Sequence, residues 1–122
     1  MFDIRDLNGE RIAALEASTL CGAFQSTVAE RPGQLAHRAA DGSVAFTFGE
    51  FAERVRALAE GFHSLGVRPG DTVALMLRNR PEFALADTAV MHLGATAFSV
   101  YNTSSPEQIN YVFGNAGNRV VV

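Results

Sequence analysis

The chain has 122 residues, 48% of them hydrophobic and 19% charged, with a formal net charge of -3 at pH 7. That balance excludes a disordered polar chain, and no run is long or apolar enough to span a membrane. All ten basic residues are arginine and none is lysine, which excludes Schiff-base chemistry and lysine-dependent phosphate loops within this stretch.

Residues 1–18 read as a lead-in. Met1-Phe2-Asp3-Ile4-Arg5-Asp6 is mixed in charge with no apolar stretch behind it, so no secretory signal is visible, and Ile12 and Leu15 carry a weak helical pattern. A cytoplasmic chain is the expectation. Thr19 is placed to cap a helix with apolar positions Leu20, Phe24 and Val28, ending near Arg31-Pro32-Gly33. Cys21, the single cysteine, reads as a buried residue of that helix rather than a reactive thiol.

The runs 35–40 and 43–47 flank Asp41-Gly42, a dipeptide suited to a type I′ turn, which predicts a β-hairpin. Thr47-x-x-Glu50 then spells a capping box, and Phe48, Phe51, Ala52, Val55, Leu58, Ala59 and Phe62 keep helical spacing behind it. Glu50 stands four residues before Arg54 on the outer face. Gly66 and Pro69-Gly70 end that helix.

The apolar run 72–77 predicts a strand covered on both faces. Asn79 and Glu82 suggest a cap for a helix over 81–93, with Pro81 in its first turn. A strand over 95–101 follows, then a helix capped by Ser104 or Ser105, with Glu107 or Gln108 closing the box and Ile109, Val112, Phe113 and Ala116 as its face. The chain ends Arg119-Val120-Val121-Val122. Strands alternating with single helices predict an α/β fold: a mostly parallel sheet with flanking helices and one β-hairpin. The closing valines read as the start of an interior strand, and hence the chain as the incomplete N-terminal part of a larger domain.

Few residues carry visible chemistry. Gly61-Phe62-His63-Ser64-Leu65-Gly66 has the frame of a phosphate loop, but Val67-Arg68 follows where Lys and Ser or Thr are required, and it closes a helix instead of opening one. His37, His63 and His92 fall on different elements with no carboxylate at motif spacing, and no catalytic or metal-binding residue is assigned. The dispersed arginines argue against nucleic acid as a partner. Ligands of parallel sheets collect beyond the carboxyl ends of the strands, which singles out Arg78, Asn79, Tyr101 and Asn102 as candidate pocket-lining residues.

Five segments occur in a recognisable order: Phe46-Thr47-Phe48-Gly49-Glu50-Phe51; Leu65-Gly66-Val67-Arg68-Pro69-Gly70-Asp71-Thr72-Val73-Ala74; Asn79-Arg80-Pro81-Glu82-Phe83; Leu93-Gly94-Ala95; and Ser105-Pro106-Glu107-Gln108-Ile109. In this register residues 19–122 resemble the N-terminal AMP-binding region of the adenylate-forming enzymes, the acyl-CoA synthetases and their relatives. The stretch Tyr101-Asn102-Thr103-Ser104-Ser105-Pro106 is most similar to the fatty-acid-CoA ligases, whereas Ser99 departs from the proline of many relatives.

The resemblance implies a family that joins a fatty acid to ATP, giving an acyl-adenylate, and passes the acyl group to coenzyme A with Mg²⁺ assisting. It also implies that the phosphate loop and catalytic lysine lie in the missing remainder of the enzyme, so this chain is expected to be inactive and to hold no cofactor by itself. A free-standing small α/β module that binds a ligand or partner through its strand-end loops is the alternative.

Overall fold

The computed structural model describes residues 12–122. The first eleven residues of the lead-in, and the mixed-charge segment within it, lie outside the described residues. A short 3₁₀ helix at Ala13–Glu16 precedes α1 (Leu20–Glu30), β1 (Leu35–Arg38), β2 (Ala45–Thr47) and α2 (Phe48–Ser64). Then come β3 (Thr72–Leu75), α3 (Pro81–His92), β4 (Thr96–Ser99), α4 (Pro106–Ala116) and β5 (Val120–Val121). The α/β architecture is the expected one: β1 and β2 form an antiparallel pair, and β4-β3-β5 form a separate parallel sheet.

Helix ends are set by local chemistry. Thr19 Oγ1 accepts the Gly22 N–H at 3.0 Å and opens α1. At α2 the capping box is complete, with Glu50 Oε2 accepting the Thr47 N–H at 2.9 Å and Thr47 Oγ1 accepting the Glu50 N–H. Its far end closes when Gly66, at φ 94°, lets the Val67 N–H reach back to the Phe62 carbonyl at 3.0 Å. Phe62 and Val67, brought together by that closure, are both buried. The phosphate-loop lookalike is therefore a helix stop. Gly94 ends α3 with the same geometry at φ 69°, and Ser105 with Gln108 forms the second complete box, at α4.

Burial concentrates on one face of the parallel sheet. Val73 and Leu75 of β3 pack with Phe51, Val55, Leu85, Ala89 and Val90 of α2 and α3, and Ala97 and Val120 join from the neighbouring strands. Phe51 also fixes the outer layers, meeting Phe24 of α1 edge-on at 5.9 Å and stacking on His37 of β1 at 4.6 Å. The alternate residues Ala74, Phe98 and Val121 lie in register on the opposite face. Because β4 and β5 flank β3, right-handed crossovers put α3 and α4 on opposite faces.

Several expectations are corrected. The hairpin does not turn on a type I′ Asp41-Gly42 pair: only Gly42 has positive φ, Asp41 does not, and the loop 40–43 is closed by the Ala39 N–H donating to Val44 at 2.8 Å. Asp41 instead accepts from the Ser43 N–H and hydroxyl, and those two bonds hold its carboxyl below the ordinary range. Asn79 does not cap α3; Arg80 is the N-cap, with no side-chain capping bond. Leu20 is 74% exposed and Leu58 stands at the exposed margin of its stripe. Cys21 is half-buried, not buried.

Candidate binding site at the strand ends

Both strands bordering the site run past their formal ends before the chain turns. The Met76 N–H donates to the Val122 carbonyl at 2.8 Å, and the Val100 N–H donates to the Leu75 carbonyl at 2.9 Å. These bonds hold Leu77 and Tyr101, the next residues along, at the carboxyl edge of the sheet. Pro81 at the first helical position forces the turn after β3, and the Ser104 N–H donating to the Tyr101 carbonyl at 3.1 Å tightens the turn after β4.

Arg78, Asn79, Tyr101 and Asn102 line a single cavity of about 490 Å³. Its apolar wall is Leu77, Phe83 and Val100, and Ser99 completes the rim. A second cavity, of about 330 Å³, lies between the end of β1 and the start of α3, lined by His37, Arg38, Asn79, Arg80, Phe83 and neighbouring small residues. Asn79 and Phe83 border both, so the two spaces meet at these side chains. Phe83 and Val100 had no polar signal in the sequence, although each stands close to a singled-out residue. Arg38 reaches the site through tertiary packing of the hairpin, and no local pattern announces it.

The charges here divide into paired and unpaired. Arg80 makes a bidentate contact with Glu82, Nε to Oε2 at 2.8 Å and Nη2 to Oε1 at 2.9 Å. The guanidinium hydrogen bond holds the Glu82 carboxyl below the ordinary carboxylate range and raises Arg80. Both groups are exposed, so the pair does little for stability. Among the described residues Arg38 and Arg78 have no carboxylate partner.

Of the histidines, His37 borders the second cavity, whereas His92 and His63 lie elsewhere. The Thr88 carbonyl, 2.8 Å from His92 Nδ1, takes its proton, leaving Nε2 to accept from Gln25 Nε2 at 3.0 Å. His92 thus braces α1 against α3 beside a groove of about 480 Å³. His63 is exposed in the last turn of α2, where its carbonyl accepts from Arg68 Nη1 at 2.7 Å. No group of three or more His, Cys, Asp or Glu that could hold a metal occurs among the described residues. The polar groups at the strand ends are guanidinium, amide and phenol.

Residues 24–122 match the family model described as "AMP-binding enzyme". The uncharacterized protein Rv1549 of Mycobacterium tuberculosis is 49% identical over 105 residues, which are 86% of this chain and 60% of that protein. The long-chain-fatty-acid–CoA ligase FadD15 of Mycobacterium bovis is 42% identical over 66 residues, 54% of this chain and 11% of the ligase. The N-terminal domain of FACL13 from Mycobacterium tuberculosis superposes with a TM-score of 0.81 at 21% identity, over 86% of this chain and 27% of that one. At that identity the likeness is one of fold. The chain thus spans less than two-thirds of the length of each.

Proposed function

From the premise that this chain belongs to the AMP-binding enzyme family, we propose that residues 19–122 form the N-terminal part of the AMP-binding domain of a fatty-acid-CoA ligase. Residues 1–18 lead into it. The observation that carries the reading is the family match running unbroken from α1 to β5, joined to 42% identity with a long-chain-fatty-acid–CoA ligase. Within it, β5 becomes an interior strand and the partner of this chain's open side is the rest of the ligase domain.

Activation of a fatty acid by this family needs ATP, Mg²⁺ and coenzyme A. The residues here do not fit that chemistry, because there is no lysine to meet a phosphate and the described residues offer no metal-binding cluster. No step of adenylation is assigned to them, and the chain by itself is proposed to form no acyl-CoA. What it contributes is the scaffold and the strand-end cavity of Arg78, Asn79, Tyr101 and Asn102, read as a ligand pocket. A cytoplasmic location belongs to the same proposal. No helix among the described residues is long and apolar enough to cross a membrane.

A chimaera tests the reading. Residues 24–122 replace the matching segment of a long-chain-fatty-acid–CoA ligase, and acyl-CoA formation is assayed beside the purified 122-residue chain. Activity in the chimaera and none in the isolated chain is expected. A folded chimaera without activity, or acyl-CoA made by the isolated chain with contaminating ligase excluded, would reject it.

A further inference from the structure

The β5 side of the parallel sheet is open. Val122 turns both backbone groups to β3, its N–H donating to the Ala74 carbonyl at 2.9 Å and its carbonyl accepting from the Met76 N–H at 2.8 Å. Backbone groups alternate along a strand, so the N–H and C=O of Val121 point away from β3, to the free edge. The Val121 side chain is 47% exposed as well. A parallel strand of valines is ordinarily paired on both sides and covered on both faces. The helix on this side is no better covered: α4 buries none of its residues, and its outer surface carries a shallow hollow of about 480 Å³ lined by Ser104, Glu107, Gln108, Tyr111 and Val112.

The lengths of the relatives bear on what covers this side. The 105 residues matched in Rv1549 make up 60% of that protein, whereas the 66 matched in FadD15 make up 11% of the ligase, so Rv1549 is several times shorter than the ligase. A chain 49% identical to this one therefore has no room for what FadD15 carries beyond the matched segment. A second copy of this chain would bring to the edge only another two-residue β5, a ladder too short to hold it.

We propose that the β5 edge and the outer surface of α4 dock a separate polypeptide, the remainder of an AMP-binding domain, which adds a parallel strand beside Val121 and a covering layer over Tyr111 and Val112. This rests on the ligase reading above and adds that the junction forms between two chains, with no peptide bond across it. The partner's chemistry follows from what this chain lacks: an apolar strand that meets the outward N–H and C=O of Val121, and the lysine that is absent here.

The remainder of a long-chain-fatty-acid–CoA ligase, starting after the segment that matches residues 24–122, is co-expressed with the full 122-residue chain, and the purified material is sized by chromatography with light scattering. A one-to-one complex is expected, in which the Val121 amide gains hydrogen-exchange protection that it lacks in the isolated chain. Val121→Pro removes the outward N–H without touching a bond to β3. It should abolish co-elution while the isolated variant keeps the parent melting temperature. Val121→Ala keeps the N–H and should keep the complex. If Val121→Pro lowers the melting temperature, the exchange of the Val121 amide in the parent complex decides.

A remainder that precipitates or elutes alone would overturn the docking, as would a complex in which the Val121 amide exchanges as fast as in the isolated chain, or self-association of this chain in place of the complex. An active chimaera with no two-chain complex would spare the ligase reading and reject the second chain. A complex alongside a folded, inactive chimaera would do the reverse.

Discussion

On the face of the sheet that α2 and α3 cover, Val73 and Leu75 are sealed, and Val67 and Val90 beneath the helices are as fully buried. On the α4 side no helix residue is buried, and Tyr111 stands 73% exposed. The two helices nevertheless start with the same device, a complete capping box. What differs is what each helix rests on. Burial carries α2, whereas α4, at 11 residues, is short enough to be marginal in water without its ends. It is held by Ser105 and Gln108 at one end and by Gly117 at the other. One long-range bond, from the Thr72 hydroxyl to the Ala116 carbonyl at 2.9 Å, ties it to the sheet.

Core truncation should separate the faces most widely. Leu75→Ala is expected to lower the unfolding free energy by about 2–5 kcal/mol, a large part of what a small domain has. Phe113→Ala on the half-buried face of α4 should cost about 1 kcal/mol. Urea unfolding, read as a shift in midpoint at constant slope, measures both. Equal losses would show that α4 shares the core's burial after all.

The glycines at the helix ends sharpen the contrast. Gly94 and Gly117 both sit in the left-handed region, at φ 69° and 58°. A Cβ on Gly94 would meet the Pro69 side chain at 3.3 Å, whereas one on Gly117 would meet nothing within 4 Å. Alanine at 117 therefore carries the backbone cost alone, about 1–2 kcal/mol. Alanine at 94 must in addition displace Pro69 where the Gly70 N–H donates to the Gly94 carbonyl at 2.9 Å, and about 2–3 kcal/mol is expected. Thermal melts of the two variants decide it, and a Gly117→Ala that loses more than Gly94→Ala would contradict the comparison.

The sequence was most readable where the physics is local. Thr19, Thr47, Ser105, Gly66 and Gly94 act on backbone groups within a few residues, and the periodicity behind each fixes a helix whatever it packs against. The alternation of strand and helix gave the parallel sheet for the same reason. Asn79 misled because its side chain suits a cap, yet Pro81 at the first helical position leaves that role to Arg80, whose guanidinium turns to Glu82. Asp41-Gly42 misled in a similar way: Asp41 can satisfy Ser43 from its side chain, so a longer loop costs nothing that the tight turn would have saved. At the strand ends the rule for parallel sheets pointed to Arg78, Asn79, Tyr101 and Asn102, but the second cavity depends on β1 meeting the start of α3. Residues as far apart in the chain as Arg38 and Arg78 carry no local sign that they border neighbouring cavities.

Acid distinguishes the two capping boxes by their third residue, Glu50 in α2 and the non-titrating Gln108 in α4. The Thr47 N–H, and then its hydroxyl, donate to Glu50 and hold its carboxyl below the ordinary range. A carboxyl lowered by folding contributes stability that is present above its unfolded value and is lost as pH falls through its folded value. Between about pH 5 and pH 3 the Thr47–Glu50 bond at the start of α2 should therefore be lost, while the Ser105–Gln108 bond at the start of α4 has no titrating acceptor; beside it, however, Glu107 is held low by its own N–H and then by the Ser105 hydroxyl. Asp41, Glu82 and Glu107 are lowered too and weaken over the same range, so the global melting temperature cannot isolate the effect. The amide of Thr47 can, because its N–H is the donor that Glu50 accepts. Its hydrogen-exchange protection, corrected for the pH dependence of intrinsic exchange, should fall across that window in the parent chain and stay level in Glu50→Gln. The Ser105 amide, bonded to Gln108 Oε1 at 2.9 Å, should stay level in both once Glu107→Gln removes the titrating neighbour that bonds the Ser105 hydroxyl. A parallel fall at Ser105 would mean that acid acts through the sheet and not through the cap, and the difference between the two helix starts would reduce to what lies beneath them.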